Sequence, residues 1–266
     1  MFGTRQPPGL GQWQRVAAQL HDLIFPPRCV ACDRMGSLLC DACAQAVAPA
    51  RGPLCARCGR LHPEPCATCA LCDHADHVLA RVRAAALHTG VMRDAIHHLK
   101  YADARGLAVP LARYLTAAWA APDWDELRRR VDLVAPVPLH PARLQERGYN
   151  QSALLAQALC DRAGLTCMPD ALARVRATQS QVGLDASARA ANVADAFAAR
   201  LRLDGATVLL IDDVYTTGAT LNACARAALV AGAIQVVALT LALPASRSRQ
   251  AAAPSKKERK NVPELG

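Results

Sequence analysis

Residues 208–221 constrain the fold of this chain more than any other segment, because they read as a buried strand, a turn and the start of a helix. Residues 208–211 form a short apolar run, which is typical of a parallel strand buried on both faces. From Leu221 onward the composition changes to alanine and leucine, which favours a helix. This order of elements predicts an α/β fold in which helices flank a parallel sheet.

Two carboxylates, Asp212 and Asp213, end the strand, and the turn after them is rich in hydroxyls and glycine. Unpaired N–H groups and the positive end of the helix dipole favour a bound phosphate at such a turn. The turn residues that add hydroxyl donors or allow close approach of the anion are Thr216, Thr217, Gly218 and Thr220. Vicinal ribose hydroxyls would suit the two acids, so the pattern predicts a sugar-phosphate site. The alternative is an ordinary helix cap after a strand that ends in two acids.

A second strand, predicted at residues 131–139, also leads through a loop into a helix, which starts at Ala153. The loop carries Arg143 and Arg147, and a guanidinium group can bind two phosphate oxygens at once. Open α/β sheets bind ligands at the carboxyl ends of their strands, so we expect this loop and the turn at residues 216–220 to share one site.

Further upstream, the pattern predicts a strand at residues 81–87 and helices at residues 91–101 and 107–119. Lys100 lies beside the turn that follows the first of these helices. It is either a phosphate contact or an ordinary solvated side chain.

The composition, with 52% hydrophobic and 20% charged residues, is that of a soluble globular protein. No apolar run approaches the ~20 residues that a spanning helix needs, so we expect no membrane span. Residues 1–11 lack the apolar segment of a secretory signal, which predicts a cytoplasmic protein. Residues 13–24 have the spacing of a short amphipathic helix that packs on the body of the protein.

Nine of the twelve cysteines lie between Cys29 and Cys72, and most of them are paired as Cys-x-x-Cys. Such pairs present two thiolates to one tetrahedral ion, and four thiolates complete a structural zinc site. A disulfide framework is the alternative, but a reducing compartment and the odd number of cysteines favour zinc. A segment this small and poor in large apolar residues would gain most of its folding energy from the metal.

The spacing assigns one zinc site to Cys29, Cys32, Cys40 and Cys43. The second site takes Cys55 and Cys58 together with either Cys66 and Cys69 or Cys69 and Cys72, and spacing does not choose between these pairs. The histidines that could replace a thiol are His62, His74 and His77, although solvent-facing roles are favoured for them. The three isolated cysteines, which are interpreted as buried apolar residues, are Cys160, Cys167 and Cys224.

Residues 208–220 closely resemble the PRPP loop of type I phosphoribosyltransferases. The order of the motifs further resembles the ComF family, bacterial phosphoribosyltransferase-like proteins associated with competence for DNA uptake, and its relative GntX. The blocks that carry this resemblance are the cysteine segment, Leu-Lys-Tyr at 99–101, Arg-Gly-Tyr-Asn-Gln-Ser at 147–152, Arg-Ala-Thr-Gln-Ser-Gln at 176–181 followed by Leu184, Arg189, Asn192 and residues 196–197, and the turn after the two acids.

The resemblance implies a type I phosphoribosyltransferase-like sheet and a small N-terminal Cys-rich zinc-binding domain. The resemblance also implies that Asp212 and Asp213 hold the ribose hydroxyls of Mg-PRPP, and that Mg²⁺ stabilises the leaving pyrophosphate. The residues implied to hold the 5′-phosphate are Thr216, Thr217, Gly218, Ala219 and Thr220, and those implied for the rest of PRPP are Arg143, Arg147 and Lys100. The resemblance also favours Cys69 and Cys72 as the closing pair of the second zinc site, with Cys66 as an extra thiol.

These observations predict four parts, namely an N-terminal arm at 1–28, a double zinc finger at 29–78, a phosphoribosyltransferase-like domain at 79–243 and a basic disordered tail at 244–266. Within the third part, the polar segment 174–192 is interpreted either as a flap that closes over the reacting centre or as a solvated linker.

Two functions remain open at this point. In the first, the chain is an enzyme that transfers phosphoribosyl from Mg-PRPP to an unidentified acceptor, in a process linked to DNA uptake. In the second, it is a non-catalytic accessory that binds single-stranded DNA, uses the pocket to sense PRPP or hold a nucleotide end, and works with a competence helicase or other DNA-processing proteins. The net charge of +9 favours the second, whereas an aromatic content of 4% offers little surface for stacking bases.

Overall fold

The structure is a computed structural model, and it describes residues 26–70, 72, 77–176 and 195–245. The helices in these ranges are α1 (Asp41–Gln45), α2 (Gly90–Tyr101), α3 (Ala108–Trp119), α4 (Asp125–Arg128), α5 (Pro141–Arg147), α6 (Gln151–Ala163) and α7 (Ala219–Val230). The strands are β1 (Arg81–Leu87), β2 (Leu133–Pro136), β3 (Leu172–Arg174), β4 (Phe197–Ala199), β5 (Thr207–Val214) and β6 (Gln235–Leu243). Short 3-10 helices lie at Arg105–Leu107 and Pro122–Trp124.

Four parallel strands form the main sheet in the order β1, β6, β5, β2. The two central strands are apolar and almost wholly buried, as expected for strands that are covered on both faces. Because all four strands run in the same direction, their carboxyl ends meet at one edge, where His88, Val137 and Tyr215 follow β1, β2 and β5. The prediction of a parallel sheet flanked by helices is confirmed.

The sequence-based bounds of β1, α2 and α3 agree with the structure to within one residue, but β2 is shorter than the predicted 131–139. Pro136 and Pro138 lack the N–H group that a longer ladder would require, so regular pairing stops there. The N–H of Val137 still donates to the carbonyl oxygen of Ile211, at 2.9 Å, and keeps the chain against β5 beyond the last strand residue.

The side chains of β5 alternate between two apolar cores, one on each face of the sheet. Leu209 and Ile211 pack with helices α2, α3 and α6, whereas Val208 and Leu210 pack with α7 and with the antiparallel β3–β4 pair. The same alternation directs Asp213 toward the first face and Asp212 toward the second.

The cysteine-rich segment packs on both of these faces. Cys29 and Cys43 belong to the core of the α2, α3 and α6 face, where the hydroxyl of Tyr114 donates to the carbonyl oxygen of Ala44 at 2.7 Å. The second group, Cys55, Cys58, Cys69 and Cys72, belongs to the core of the opposite face. Each cysteine group is therefore continuous with one of the cores that support the sheet.

Several sequence-based predictions fall outside the described residues: the amphipathic helix at 13–24, His74, most of the segment 174–192 and the tail beyond Ala245. Among the helices that are described, none is long and apolar enough to cross a membrane.

Candidate functional site

The two acids at the end of β5 are buried and already have hydrogen-bonding partners. Asp212 is 9% exposed, and its Oδ1 accepts from the hydroxyl of Ser152 and from the N–H of Asp213, both at 2.9 Å. Asp213 is 3% exposed, its Oδ2 forms an ion pair with Lys100, and its Oδ1 lies 3.5 Å from Nε2 of Gln151. A diol that binds these acids would compete with Lys100 and Ser152, which already contact them.

The surroundings of the two carboxyl groups displace their pKa values in opposite directions. Burial, followed by the adjacent charge of Asp213, raises the pKa of Asp212 to about 8. Burial also opposes the charge of Asp213, but the attraction of Lys100 outweighs it and the net effect lowers the pKa of Asp213. The pKa of Lys100 changes as well. Burial of Lys100 alone would lower this pKa, but the attraction of Asp213 outweighs burial and raises it. The unliganded site thus favours one ionised acid, one neutral acid and one ammonium group.

The turn after β5 begins the helix α7 through Gly218, which adopts the left-handed region with φ of +87°. A Cβ at Gly218 would lie 2.7 Å from Cε2 of the buried Tyr215, so both the backbone and the ring require glycine. Thr216 is exposed, and Oγ1 of Thr217 lies 3.4 Å from the N–H of Ala219. Together with Thr220, these residues form a helix start that can receive an anion.

A polar cavity of about 230 Å³ lies beside the acids and shares Lys100 with them. The residues that line it are Lys100, Tyr101, Asp103, Arg143, Glu146, Arg147 and Tyr149. The structure therefore brings Lys100, Arg143 and Arg147 to one cavity, whereas the turn at residues 216–220 does not line it.

The two arginines of this cavity are held differently. Arg143 is exposed and its Nη1 donates to Oε2 of Glu146 at 2.8 Å, an ion pair that solvent screens. Arg147 is half-buried, lies over the Tyr101 ring at 5.3 Å and donates to Oε1 of Gln151. Since Gln151 also approaches Asp213, Arg147 is linked to the acid pair by a single side chain.

Sequence reasoning did not single out several residues that the structure places at this edge. Gln151 and Ser152 contact the acids, and Asn150 fixes their helix, since its Oδ1 caps the N–H of Ser152 at 3.0 Å and its Nδ2 donates to Val137. The one sequence signal for these three residues is membership of the 147–152 block. His88, which had no such signal, lies near Lys100, and burial, followed by the charge of Lys100, lowers the pKa of His88.

The two cysteine groups have the geometry of tetrahedral zinc sites. All ligand sulfurs of each group lie within 4.8 Å of one another, and the closest pairs, such as Cys58 with Cys69, are 3.6–3.8 Å apart. Zinc–sulfur bonds of about 2.3 Å in a tetrahedron require sulfurs about 3.8 Å apart, so the residues fit the metal.

The structure brings Cys69 and Cys72, rather than Cys66, into the second group with Cys55 and Cys58. Cys66 instead forms a backbone bridge with Cys55, and its carbonyl oxygen accepts from the N–H of Ala56 at 2.7 Å. Neither His62 nor His77 belongs to these groups. His77 is buried, and its ring nitrogens have no hydrogen-bond partner among the described residues.

Comparison with known proteins agrees with this architecture. Residues 20–76 match the family model of the double zinc ribbon domain. The DNA utilization protein YhgH of Salmonella typhimurium is 32% identical over 198 residues, which are 74% of this chain and 87% of that protein. Competence protein F of Haemophilus influenzae is 38% identical over 94 residues, 34% of this chain and 41% of that protein. The chain belongs to the ComF family.

This ComF-family protein also has similarity to solved structures. The hypoxanthine-guanine phosphoribosyl transferase of L. donovani aligns with a TM-score of 0.34 and 14% identity over 57% of this chain and 79% of that chain. The phosphoribosylpyrophosphate synthetase of Mycobacterium smegmatis aligns with a TM-score of 0.30 and 13% identity over 48% and 33% of the two chains. Scores this low carry no argument about activity. The ribbon match and the two four-cysteine groups support structural zinc in the N-terminal part of the chain.

Proposed function

We propose that this ComF-family protein binds Mg-PRPP at the carboxyl edge of its sheet and transfers the phosphoribosyl group to an acceptor in a process linked to DNA uptake. The observation that carries the proposal is the joint placement of Asp212, Asp213 and the Gly218 turn at the end of one buried strand, with Lys100 shared between the acids and the polar cavity. We further propose a cytoplasmic location, where thiols stay reduced for zinc.

In this proposal each part of PRPP has its own partners. The ribose hydroxyls replace Ser152 and Lys100 as hydrogen-bond donors to Asp212 and Asp213. The residues that receive the 5′-phosphate are Thr216, Thr217, Gly218, Ala219 and Thr220, at the positive end of α7.

The pyrophosphate occupies the cavity, where the released Lys100 joins Arg143 and Arg147. Mg²⁺, when bound with PRPP, neutralises part of the pyrophosphate charge.

This transfer requires that the protein position the ribose and stabilise the charge of the leaving group, and it needs no covalent intermediate with the protein. The bond between ribose C1 and the pyrophosphate oxygen breaks with its electron pair on the leaving group, and a lone pair of the acceptor forms the new bond to C1. A proton on the attacking atom, where the acceptor carries one, is released to solvent. The cations around the cavity stabilise the negative charge that the leaving group gains. The acids hold the ribose, so that C1 stays aligned with the acceptor.

The most informative test of catalysis measures pyrophosphate release from Mg-PRPP against a panel of nucleobases and other acceptors. We expect release that depends on one class of acceptor and is lost in the Asp212→Asn/Asp213→Asn variant. Arg28→Met, a change of an exposed side chain beside the first cysteine group, is the control and should retain the wild-type rate. Acceptor-independent release at the same rate in all three proteins would contradict the transferase proposal.

A second candidate function is binding of single-stranded DNA as a non-catalytic accessory, working with a helicase or other DNA-processing proteins. The net charge of +9, and relatives that carry DNA utilization and competence names, favour it. It predicts a salt-dependent mobility shift of single-stranded DNA. If deletion of residues 245–266 alone abolishes the shift, the basic tail binds DNA and the folded body does not.

A further inference from the structure

The second cysteine group lies directly against the sheet, so that its position and that of β1 are fixed together. The N–H of Val82 donates to the carbonyl oxygen of Arg57 at 2.8 Å, and Nη1 of Arg83 donates to that of Ala56 at 3.0 Å. A Cβ at Gly59 would overlap the carbonyl oxygen of Val82. These contacts align the loop between Cys55 and Arg60 with β1 as long as the loop keeps its folded conformation.

Arg60, which follows this loop, reaches from the ribbon to the turn after β5. Its guanidinium lies 4.9 Å from the centroid of the Tyr215 ring, and its Nη2 donates to the carbonyl oxygen of Thr216. The N–H of Cys55 donates to the carbonyl oxygen of Arg60 at 2.9 Å and closes the loop on it. One half-buried side chain thus connects a metal-binding loop with the turn that we assign to phosphate.

Tyr215 transmits this contact into the turn itself. The ring is 2% exposed, shares a core with Cys58 and Cys72, and lies against Gly218 so closely that a Cβ there would clash. A displacement of the ring would open space at Gly218 and free the backbone that begins α7. A second contact ties the same helix to the chain beyond the ribbon, since Oδ1 of Asn222 accepts from the N–H of Val78 at 3.1 Å.

We propose that Arg60 is a positioning residue through which the second cysteine group holds the turn at residues 216–220 in its anion-binding conformation. Metal at the second cysteine group keeps the loop in place, and Arg60 passes that constraint to Tyr215 and Thr216. The affinity of the turn for a phosphate group then depends on occupancy of a metal site that does not touch the ligand. This inference deepens the proposed function and rests on it for the identity of the ligand.

The test compares Arg60→Met, which keeps the aliphatic stem and removes the guanidinium, with the control Arg28→Met. Arg28 directly precedes Cys29 of the first cysteine group, as Arg60 follows Cys58 of the second by two residues, but Arg28 is exposed and pairs with Asp33. We expect both variants to hold two zinc ions per chain. Arg60→Met alone should show about tenfold weaker binding of Mg-PRPP by calorimetry, and faster hydrogen exchange of the amides of residues 214–222 in the unliganded protein.

The metal itself is tested with Cys72→Ser, which should reduce the zinc content to one per chain and accelerate exchange of the same amides. Adding Arg60→Met to Cys72→Ser should then produce little further change, because both act through one contact. Unchanged exchange in zinc-replete Arg60→Met would overturn the inference, as would unchanged exchange in a folded Cys72→Ser that holds one zinc. Failure of the wild-type protein to bind Mg-PRPP would instead overturn the proposed function, because the exchange measurements need no ligand.

Discussion

Asp212 and Asp213 are neighbours in sequence but have opposite electrostatic surroundings. The alternation of side chains along β5 places Asp213 in an ion pair with Lys100, whereas Asp212 is buried and accepts hydrogen bonds from the uncharged hydroxyl of Ser152 and a backbone N–H. Burial of a carboxyl group without an ion pair favours its neutral form, and an ion pair favours the charged form. The two acids should therefore respond differently to the same substitution.

Asp212→Asn is expected to stabilise the protein at alkaline pH. The folded-state pKa of Asp212, about 8, lies above its unfolded value, so the group stabilises the fold only while it stays protonated. The contribution of Asp212 to the free energy of unfolding falls as the pH rises from its unfolded pKa of about 4 to its folded pKa of about 8. Asparagine does not ionise, so the variant does not lose stability in this way. The melting temperature of the variant should exceed that of the wild type by a few degrees at pH 8, and by less at pH 5. A variant less stable than the wild type at pH 8 would contradict this interpretation.

Asp213→Asn and Lys100→Met are expected to destabilise the protein singly and less than additively together. Lys100→Met leaves the buried carboxylate of Asp213 without its partner, and Asp213→Asn does the same to the half-buried ammonium of Lys100, each at a cost of about 2–4 kcal/mol. The double variant removes both charges. Its loss of unfolding free energy, measured by urea unfolding, should therefore be smaller than the sum of the two single losses by at least about 1 kcal/mol. Strict additivity of the three free energies of unfolding would show that the ion pair contributes nothing.

At the scale of elements, the turn between β5 and α7 depends on a glycine. Gly218→Ala should cost about 2–3 kcal/mol, because its φ of +87° disfavours alanine and the new Cβ meets the ring of Tyr215. Gly164→Ala is the matched control, since Gly164 also has a positive φ, of +67°, but no atom of the described residues lies within 4 Å of a Cβ there. The control should cost about 1 kcal/mol in urea unfolding and leave Mg-PRPP binding unchanged. Equal losses of stability and of binding in both variants would argue against the role of Tyr215.

The two ribbons give a prediction that metal analysis checks directly. Purified protein should contain about two zinc ions per chain, and Cys66→Ser should retain both, because Cys66 lies outside the second group. Cys69→Ser should retain one. A Cys66→Ser protein with a single zinc would show that the second site uses a different set of thiols.

Across the whole molecule, local patterns in the sequence predict the parts of the fold and of the site that depend on neighbouring residues. The apolar run before Asp212 and the Cys-x-x-Cys spacing are such patterns, and they locate the central strand and the first cysteine group. For the second group the spacing left Cys66 and Cys72 as alternatives, and the structure selects Cys72. The contact of Arg60 with Thr216 joins residues 156 positions apart, and no periodicity records it. The pairing of Lys100 with Asp213 escapes prediction for the same reason, since the sequence around Lys100 indicates only a phosphate contact or a solvated side chain.

The proposed function depends on the binding of the Mg-PRPP ribose by Asp212 and Asp213. Calorimetric titration of the whole protein with Mg-PRPP measures that binding. We expect micromolar affinity for the wild-type protein and no measurable binding by an Asp212→Asn/Asp213→Asn variant that is folded and holds both zinc ions. The same affinity in the double variant would show that the two acids do not bind the ribose.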